Sequence, residues 1–567
     1  MSRSRVALLF ALVLAAGCQS IPANQQNAAG GSMVATAHPL ATNAARQVLA
    51  NGGNAADAAV AAGFALAVAE PAMSNLGGRI QILVRSPDGG YQGYNGMTEV
   101  PGTYVAPAEP VSQGYGTIAT PGVVAGLARL HAEHGSLPWS VLLEEPARLA
   151  REGYPLLPGA AARHARGLEL FKDNPGFQQV FIEEDGSAYE AGDLLKQPAL
   201  ARTISRLATT GADDFYQGEI AQQIAADMAA NGGYVTAGDL AAYEVLDGRN
   251  ITTRYRDVDI HSLAAPAGGG LVVKALNILE NFDVAALSDV QWAAVMNQAL
   301  ALAIKSMADD PAEPDLEHVA DKAWAAAQAA SISVPPAMPM AAMAVSPAEN
   351  DRQLMSATDW SGSHWGQNSH HTSHFTIADC DGRVVSITQT LGPLFGARVI
   401  TPELGFVYAA TMGSYLSAAN QVPGSRPRTT IAPTVVTRDG EVVLALGAAG
   451  GIRILSAIVQ TISRHVDQGH DPVAAVALPR VHPVREKAAS GKYVTYPKKI
   501  NLEMTPDRGW PIAVADALKT AGFEVTSVQR HAAFGRVHLV ARTGGAWQGV
   551  ADPDWEGTAA GTSCESR

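Results

Sequence analysis

Three cysteines stand in 567 residues, aromatic side chains make up 6%, and charged side chains only 16%. Acidic residues outnumber basic ones, 53 to 40, and the formal charge of −13 argues against a nucleic-acid partner. The apolar run near the N terminus, Val6 to Leu14, is too short to span a bilayer. Scarce aromatics and abundant alanine predict a core of small helices and strands. A hydrophobic content of 47% predicts a large, well-buried globular protein. Histidines cluster at His364, His370, His371 and His374, but no carboxylate or cysteine stands at a suitable spacing beside them. Metal is therefore the weaker reading of that cluster, and no cofactor is expected.

What the N terminus does have is a targeting pattern. Arg3 and Arg5 precede the apolar run, and Ala15-Ala16-Gly17-Cys18 closes it. Small residues before a cysteine read as a bacterial lipoprotein signal, cut before Cys18 and lipidated there. An ordinary secretory signal cut near Ala16 is the alternative. Gln19, where an aspartate would retain the protein at the inner membrane, points to the periplasmic side of an outer membrane or the cell surface. Membrane contact would then be by the lipid anchor only. Residues 1–18 are read as the signal and 19–32 as a flexible tether. Cys380 and Cys564 permit one bridge but nothing demands it, so free thiols are expected. The tail after Trp555 reads as disordered, and the Pro-, Ala- and Met-rich residues 308–350 read as a mobile linker.

The most regular strand pattern follows that linker. From Thr372 to Ile377 the residues alternate, and Cys380-Asp381-Gly382 reads as a three-residue hairpin loop with glycine at the left-handed position. That loop pairs Thr372 with Thr390 and Thr376 with Ser386. Cross-strand partners share a face. One face is then Phe375, Ile377, Val385, Ile387 and Leu391; the other is Thr372, His374, Thr376, Ser386, Thr388 and Thr390. By pattern alone the second face is equally a solvated sheet face rich in β-favouring threonine.

Thr372-Ser373-His374-Phe375, continued by Asp379 through Thr390 and Phe395-Gly396, resembles the γ-glutamyltranspeptidase (glutathione hydrolase) family of N-terminal-nucleophile hydrolases. The likeness extends through Gly52-Gly53-Asn54-Ala55-Ala56-Asp57, Glu70-Pro71 to Gly78, Thr120 to Gly126, Thr236 to Tyr243 and Pro266 to Gly270. It implies an α/β (α+β) fold, a four-layer αββα sandwich made from one self-cleaved precursor. Residues 33–371 would be the large subunit and 372–567 the small one, cut between His371 and Thr372. It also implies that Thr372 is the nucleophile and Thr390 its partner. The chemistry suits the place: a hydroxyl needs a base beside it. A freed α-amine, with a reference pKa of about 7.7–8.0, supplies one on the same residue. Thr429 and Thr430 stand where the family has paired serines. Gly450 and Gly451 match its glycine pair, whose backbone N–H groups suit an oxyanion hole; a plain strand-to-helix turn is the alternative. Gly405 to Tyr408 is expected to be another strand. Threonine and aspartate in the N-terminal motifs read as helix caps.

Substrate-reading positions depart from the family. Met97 stands in place of its arginine, Gly392 in place of an asparagine, and Ala409 to Ser414 in place of the block that grips the α-amine. Losing such contacts together costs several kcal/mol of recognition. Arg79 is a new cation beside a family glycine block, and Arg426 and Arg428 flank Thr429-Thr430. Any of the three is a candidate for a carboxylate on a different acyl group, or else makes ordinary interchain contacts. The stretch from Tyr415 to Arg426 is short, which leaves the nucleophile without the covering loop of lidded relatives. Two expectations follow. One is an amide hydrolase acting on a small-molecule or peptide amide, with a non-standard acyl group or, alternatively, the ordinary γ-glutamyl one. The other is a surface lipoprotein that matures by self-cleavage and acts by binding.

Overall fold

The computed structural model describes residues 27–171, 174–309, 315–337, 370–417, 420–488, 493–504, 509–528, 533–554 and 556–564. The signal, Cys18, most of the tether, His364 and much of residues 308–350 lie outside them.

Two seven-stranded antiparallel sheets face each other. The first runs, in spatial order, Thr558–Thr562, Ser32–Thr36, His370–Ala378, Val384–Pro393, Arg79–Arg85, Tyr91–Gly96 and Leu246–Asp247. The second runs Asn27–Gly30, Ala546–Ala551, Arg536–Thr543, Glu441–Ala449, Thr434–Arg438, Val258–Leu263 and Asn250–Tyr255. Helices Pro39–Ala50 and Ala55–Ala69 cover the first sheet, and helices Gly269–Leu279 and Arg453–Val466 cover the second. The architecture is a four-layer αββα sandwich, as the resemblance implies.

Alanine makes this packing possible. Every residue of helix Ala55–Ala69 is buried, because its small side chains let both the sheet and neighbouring helices approach closely. Asn54 caps that helix, accepting from the Ala56 and Asp57 amides, while the Asp57 carboxylate takes the Asn54 amide in return. Thr236 and Asp239 form the same reciprocal cap at Ala237–Ala241. Asp214 differs: it accepts from the Glu219 and Ile220 amides and pairs with Arg206.

The hairpin has the register its turn predicts, with Thr372 opposite Thr390 and Thr376 opposite Ser386. Its apolar face joins the core under the helices. Its hydroxyl face is not solvated, since His374, Thr376, Ser386 and Thr388 are fully buried between the two sheets.

Five expectations are corrected. Cys380 and Cys564 are not free thiols but a disulfide, Cα atoms 5.7 Å apart. The tail is ordered through strand Thr558–Thr562, which pairs with Ser32–Thr36 and brings Cys564 to the hairpin loop. The tether ends early, because Asn27–Gly30 already pairs with Ala546–Ala551. Residues 315–337 carry two short helices, Leu316–Val319 and Lys322–Ala329, each capped by an aspartate, so that part of the expected linker is structured. Gly405 to Tyr408 makes only isolated bridges, Ile400 to Val407 and Gly77 to Tyr408, directly after a turn at Pro402 to Leu404.

Candidate active site

A β-bulge falls between His371 and Thr372, so His371 stands opposite Gly392 while Thr372 stands opposite Thr390. Bulges re-aim a side chain at the point where pairing shifts. Here the Thr372 hydroxyl donates to Thr390 Oγ1 at 3.0 Å. Thr390 Oγ1 in turn donates to the His371 carbonyl oxygen at 2.5 Å and accepts the Gly392 amide at 3.0 Å. A hydroxyl has one proton and two lone pairs, so these three bonds saturate Thr390. One side chain thus holds both the Thr372 hydroxyl and the carbonyl that precedes it.

Ser373 points to the other side of the strand. Its hydroxyl donates to Glu70 Oε2 at 2.6 Å and accepts from Ser74 at 3.0 Å. Gln389 Nε2 completes the set by donating to Ser74 Oγ and to the Gly63 carbonyl, each at 3.1 Å. The strand carrying Thr372 is therefore pinned to helix Ala55–Ala69 and to the loop after it. Nothing in the residue pattern pointed to Glu70, Ser74 or Gln389 as a set, because the contact needs three distant segments.

His374 is not the base for Thr372. Its ring nitrogens are taken by Thr388 at 2.8 Å and Thr376 at 2.9 Å. Burial, and next the nearby His538, push its pKa well below the ordinary histidine range, so it is neutral. Strand Glu441–Ala449 makes room for the ring: a Cβ on Gly447 would lie 2.3 Å from His374 Cε1.

That contact also fixes the direction of the second sheet across the first. The Leu446 carbonyl accepts from Ser386, which faces Thr376, and Gly447 one residue later abuts His374. The strand therefore advances toward the Thr372 end of the hairpin and finishes there in Gly450-Gly451. Both glycines have positive φ, +134° and +62°, and helix Arg453–Val466 begins directly after them. Thr430 Oγ1 donates to the Gly451 carbonyl at 2.8 Å, and the Thr429 hydroxyl accepts the Ile431 amide at 3.3 Å. Thr430 thus buttresses the glycine turn, and Thr429 caps its own segment instead.

Arg79 joins the same row. Thr390 pairs with Thr372 on one side and with Arg79 on the other, so the three share a face of adjacent strands. The Arg79 Nη1 donates to Thr411 Oγ1 at 3.1 Å, and Thr411 also meets Thr98 at 2.9 Å. Gly392 leaves space for the guanidinium, since a Cβ there would stand 3.2 Å from Arg79 Nη2. Arg79 Nε is buried without a hydrogen-bond partner. Burial pushes the Arg79 pKa down to about 10, which leaves it charged at neutral pH. Arg426 is instead committed: it pairs with Glu99 at 2.8 Å, donates to the Asn95 and Glu244 carbonyls, and lies over the Tyr243 ring. Among the described residues no group of three or more His, Cys, Asp or Glu stands ready to hold a metal.

This arrangement has counterparts. Gamma-glutamyltranspeptidase is the family whose sequence pattern matches residues 41–562. The glutathione hydrolase proenzyme of Escherichia coli K12 is 31% identical over 490 residues, covering 79% of this chain and 80% of its own. The acylase ACY 1 proenzyme of Pseudomonas sp. strain V22 is 32% identical over 491 residues, with 82% and 84% covered. The crystal structure of a cephalosporin acylase from Bacillus halodurans superposes with a TM-score of 0.81 at 26% identity, over 97% of this chain and 99% of that one. The chain belongs to the gamma-glutamyltranspeptidase family and is a hydrolase of the N-terminal-nucleophile kind.

Proposed function

We propose that this enzyme cuts itself before Thr372 and then hydrolyses amides whose acyl group bears a carboxylate but no amino-acid head. The observation that carries the reading is the row Thr372, Thr390, Arg79, in which the backbone of the charged Arg79 lies about 10 Å from the nucleophile's backbone across two strand spacings.

In the precursor, the Thr372 hydroxyl adds to the His371 carbonyl carbon. Thr390 directs its proton at the oxygen that gains charge. The N–C bond then breaks as the nitrogen takes the proton given up by the hydroxyl and becomes the free α-amine; the acyl group is left on Oγ1 as an ester, and water hydrolyses it to the His371 carboxylate and the restored hydroxyl. In turnover that amine takes the hydroxyl proton as Thr372 attacks the substrate amide, and Gly450-Gly451 receive the oxyanion. Water resolves the acyl-threonine, favoured over transfer because the stretch from Tyr415 to Arg426 is too short to cover the site. Thr430 holds the glycine turn in place, and Thr429 beside it remains a substrate-contact candidate. Arg79 binds the acyl carboxylate, which makes the donor a dicarboxylic monoamide in chemical class. Relatives named for glutathione hydrolysis and for acylase activity both accord with the reaction type.

Mature enzyme should turn over a dicarboxylic monoamide faster than glutathione. Arg79→Ala should lower kcat/KM for the monoamide by about tenfold to a hundredfold, the worth of one charged hydrogen-bonded contact. Efficient glutathione cleavage unaffected by Arg79→Ala would restore the ordinary family activity. The cellular setting follows from the N terminus: a lipid on Cys18 holds the enzyme at the periplasmic side of the outer membrane or the cell surface. Metabolic labelling with a fatty acid should mark the wild type and not Cys18→Ser; an unlabelled wild type would refute the anchor.

A further inference from the structure

A second arginine reaches the loop that holds the first, and among the described residues no acid balances it. Arg398 follows the hairpin by five residues, in a tight segment that the chain holds at unusual cost. Phe395 and Arg398 both have φ of +58°, the left-handed region that side-chain-bearing residues avoid. The segment is fixed from several directions. The Phe395 ring packs among Phe171, Phe177, Phe181 and His164. The Phe395 amide donates to the Ala72 carbonyl, and the Arg398 amide to the Phe395 carbonyl. Such a conformation persists where its surroundings impose it, and it aims Arg398 at the loop from Thr411 to Tyr415.

That loop links the two arginines. At one end Thr411 holds Arg79 Nη1. At the other, the Tyr415 hydroxyl donates to the Ser112 carbonyl at 3.0 Å, and the next residue, Gln113, takes Arg398 Nη1. Ser414 and Thr411 are tied to the same neighbouring segment through the Val111 and Thr117 carbonyls. The Nε of Arg79 and the Nε of Arg398 are both buried without a partner. Among the described residues neither guanidinium has a carboxylate in ion-pair range, and burial disfavours the charged form of each. The two cations flank one tyrosine with no anion between them, Arg79 the more deeply buried and Arg398 half-buried and partly open to solvent. A ligand that brings two negative charges compensates both.

We propose that Arg79 and Arg398 form one two-cation site, and that the acyl group of the substrate carries two acidic groups. The proposal rests on the reading of Arg79 as a carboxylate holder and extends it. The second acid occupies the region where an amino-acid donor would place its ammonium, so an acidic group takes the place of an amine. Arg398 acts as a specificity-determining residue that touches the substrate and takes no part in bond making.

The test is calorimetric titration of the mature enzyme at low ionic strength with unreactive probes: dicarboxylates from succinate to pimelate, each against the ω-hydroxy acid of equal length. The best-fitting dicarboxylate should bind roughly ten- to a hundredfold tighter than its hydroxy acid. Arg398→Gln should erase that preference while leaving hydroxy-acid binding in place, and Arg398→Lys should keep part of it. A preference that survives Arg398→Gln overturns the two-cation site and leaves the Arg79 reading standing. Equal weakening of both probes by Arg398→Gln overturns it as well, since both arginines would then share one carboxylate. Indifference of both probes to Arg79→Gln removes the Arg79 reading itself.

Discussion

Thr390 shows how much one hydroxyl can be asked to do. It accepts from Thr372 and from the Gly392 amide and donates to the His371 carbonyl. Thr390→Val keeps the shape and removes all three bonds. Self-cleavage, followed as the appearance of a chain starting at residue 372, should slow by about tenfold to a hundredfold, with circular dichroism unchanged. Thr372→Ala should leave a single chain. Normal cleavage in the valine variant would show that Thr390 neither orients the hydroxyl nor polarises the carbonyl. The pairing itself was legible, because the turn residues Cys380-Asp381-Gly382 set the register. The bond to His371 was not, because it depends on a bulge that no residue pattern announces. Arg79 stood out as a charge among glycines, but the space that Gly392 provides for it appears only when three strands are assembled. Arg398 gave no signal, since a left-handed arginine looks like any other in a sequence.

At the scale of elements, the sandwich is set by which small residues meet. The alanine-rich blocks at residues 39–69 read as two helices broken at Asn51 to Asn54, and they are Pro39–Ala50 and Ala55–Ala69. The disulfide and the last strand were illegible for one shared reason. Cys564 follows a short polar segment, and only its pairing with Ser32–Thr36 carries it to Cys380. The solvated alternative for the hydroxyl face failed similarly, because the second sheet that covers it is built from segments far along the chain. Contact between the sheets is close at Gly447. Gly447→Ala would drive its methyl into His374 and push the strands apart, costing about 1–3 kcal/mol. Urea unfolding should record that loss together with slower maturation; an unchanged midpoint would mean that the sheets part easily.

The whole molecule buries groups that acid can reach only by unfolding it. Burial pushes His38, His164 and His538 down to about 3, helped by the Arg163 charge at the first two and opposed by Asp552 at the third. In the unfolded chain they titrate near 6.5. Their folded pKa values are depressed, so between 6.5 and 3 the unfolded state binds the extra protons. The stability these histidines contribute is complete above about pH 6.5 and is lost as pH falls toward 3. Glu556 and Asp379 are shifted upward by burial and act in the opposite sense, but nearer the carboxylate range. The urea midpoint should therefore fall between pH 7.5 and pH 5.5; a flat midpoint over that interval would contradict the neutral burial of the three rings.

Strand Ser32–Thr36 lies before the proposed cut, yet both its neighbours, His370–Ala378 and Thr558–Thr562, have their paired residues after it. The disulfide joins those neighbours just where the strand begins, and a Cβ on Gly31 would stand 2.4 Å from Cys564 Sγ. Once the chain is cut before Thr372, releasing the large piece means breaking two ladders while their outer strands stay covalently tied. Dilution supplies no force for that. The two pieces should then stay together at any concentration, parting at the pace of unfolding and not by the mass action that governs ordinary subunits.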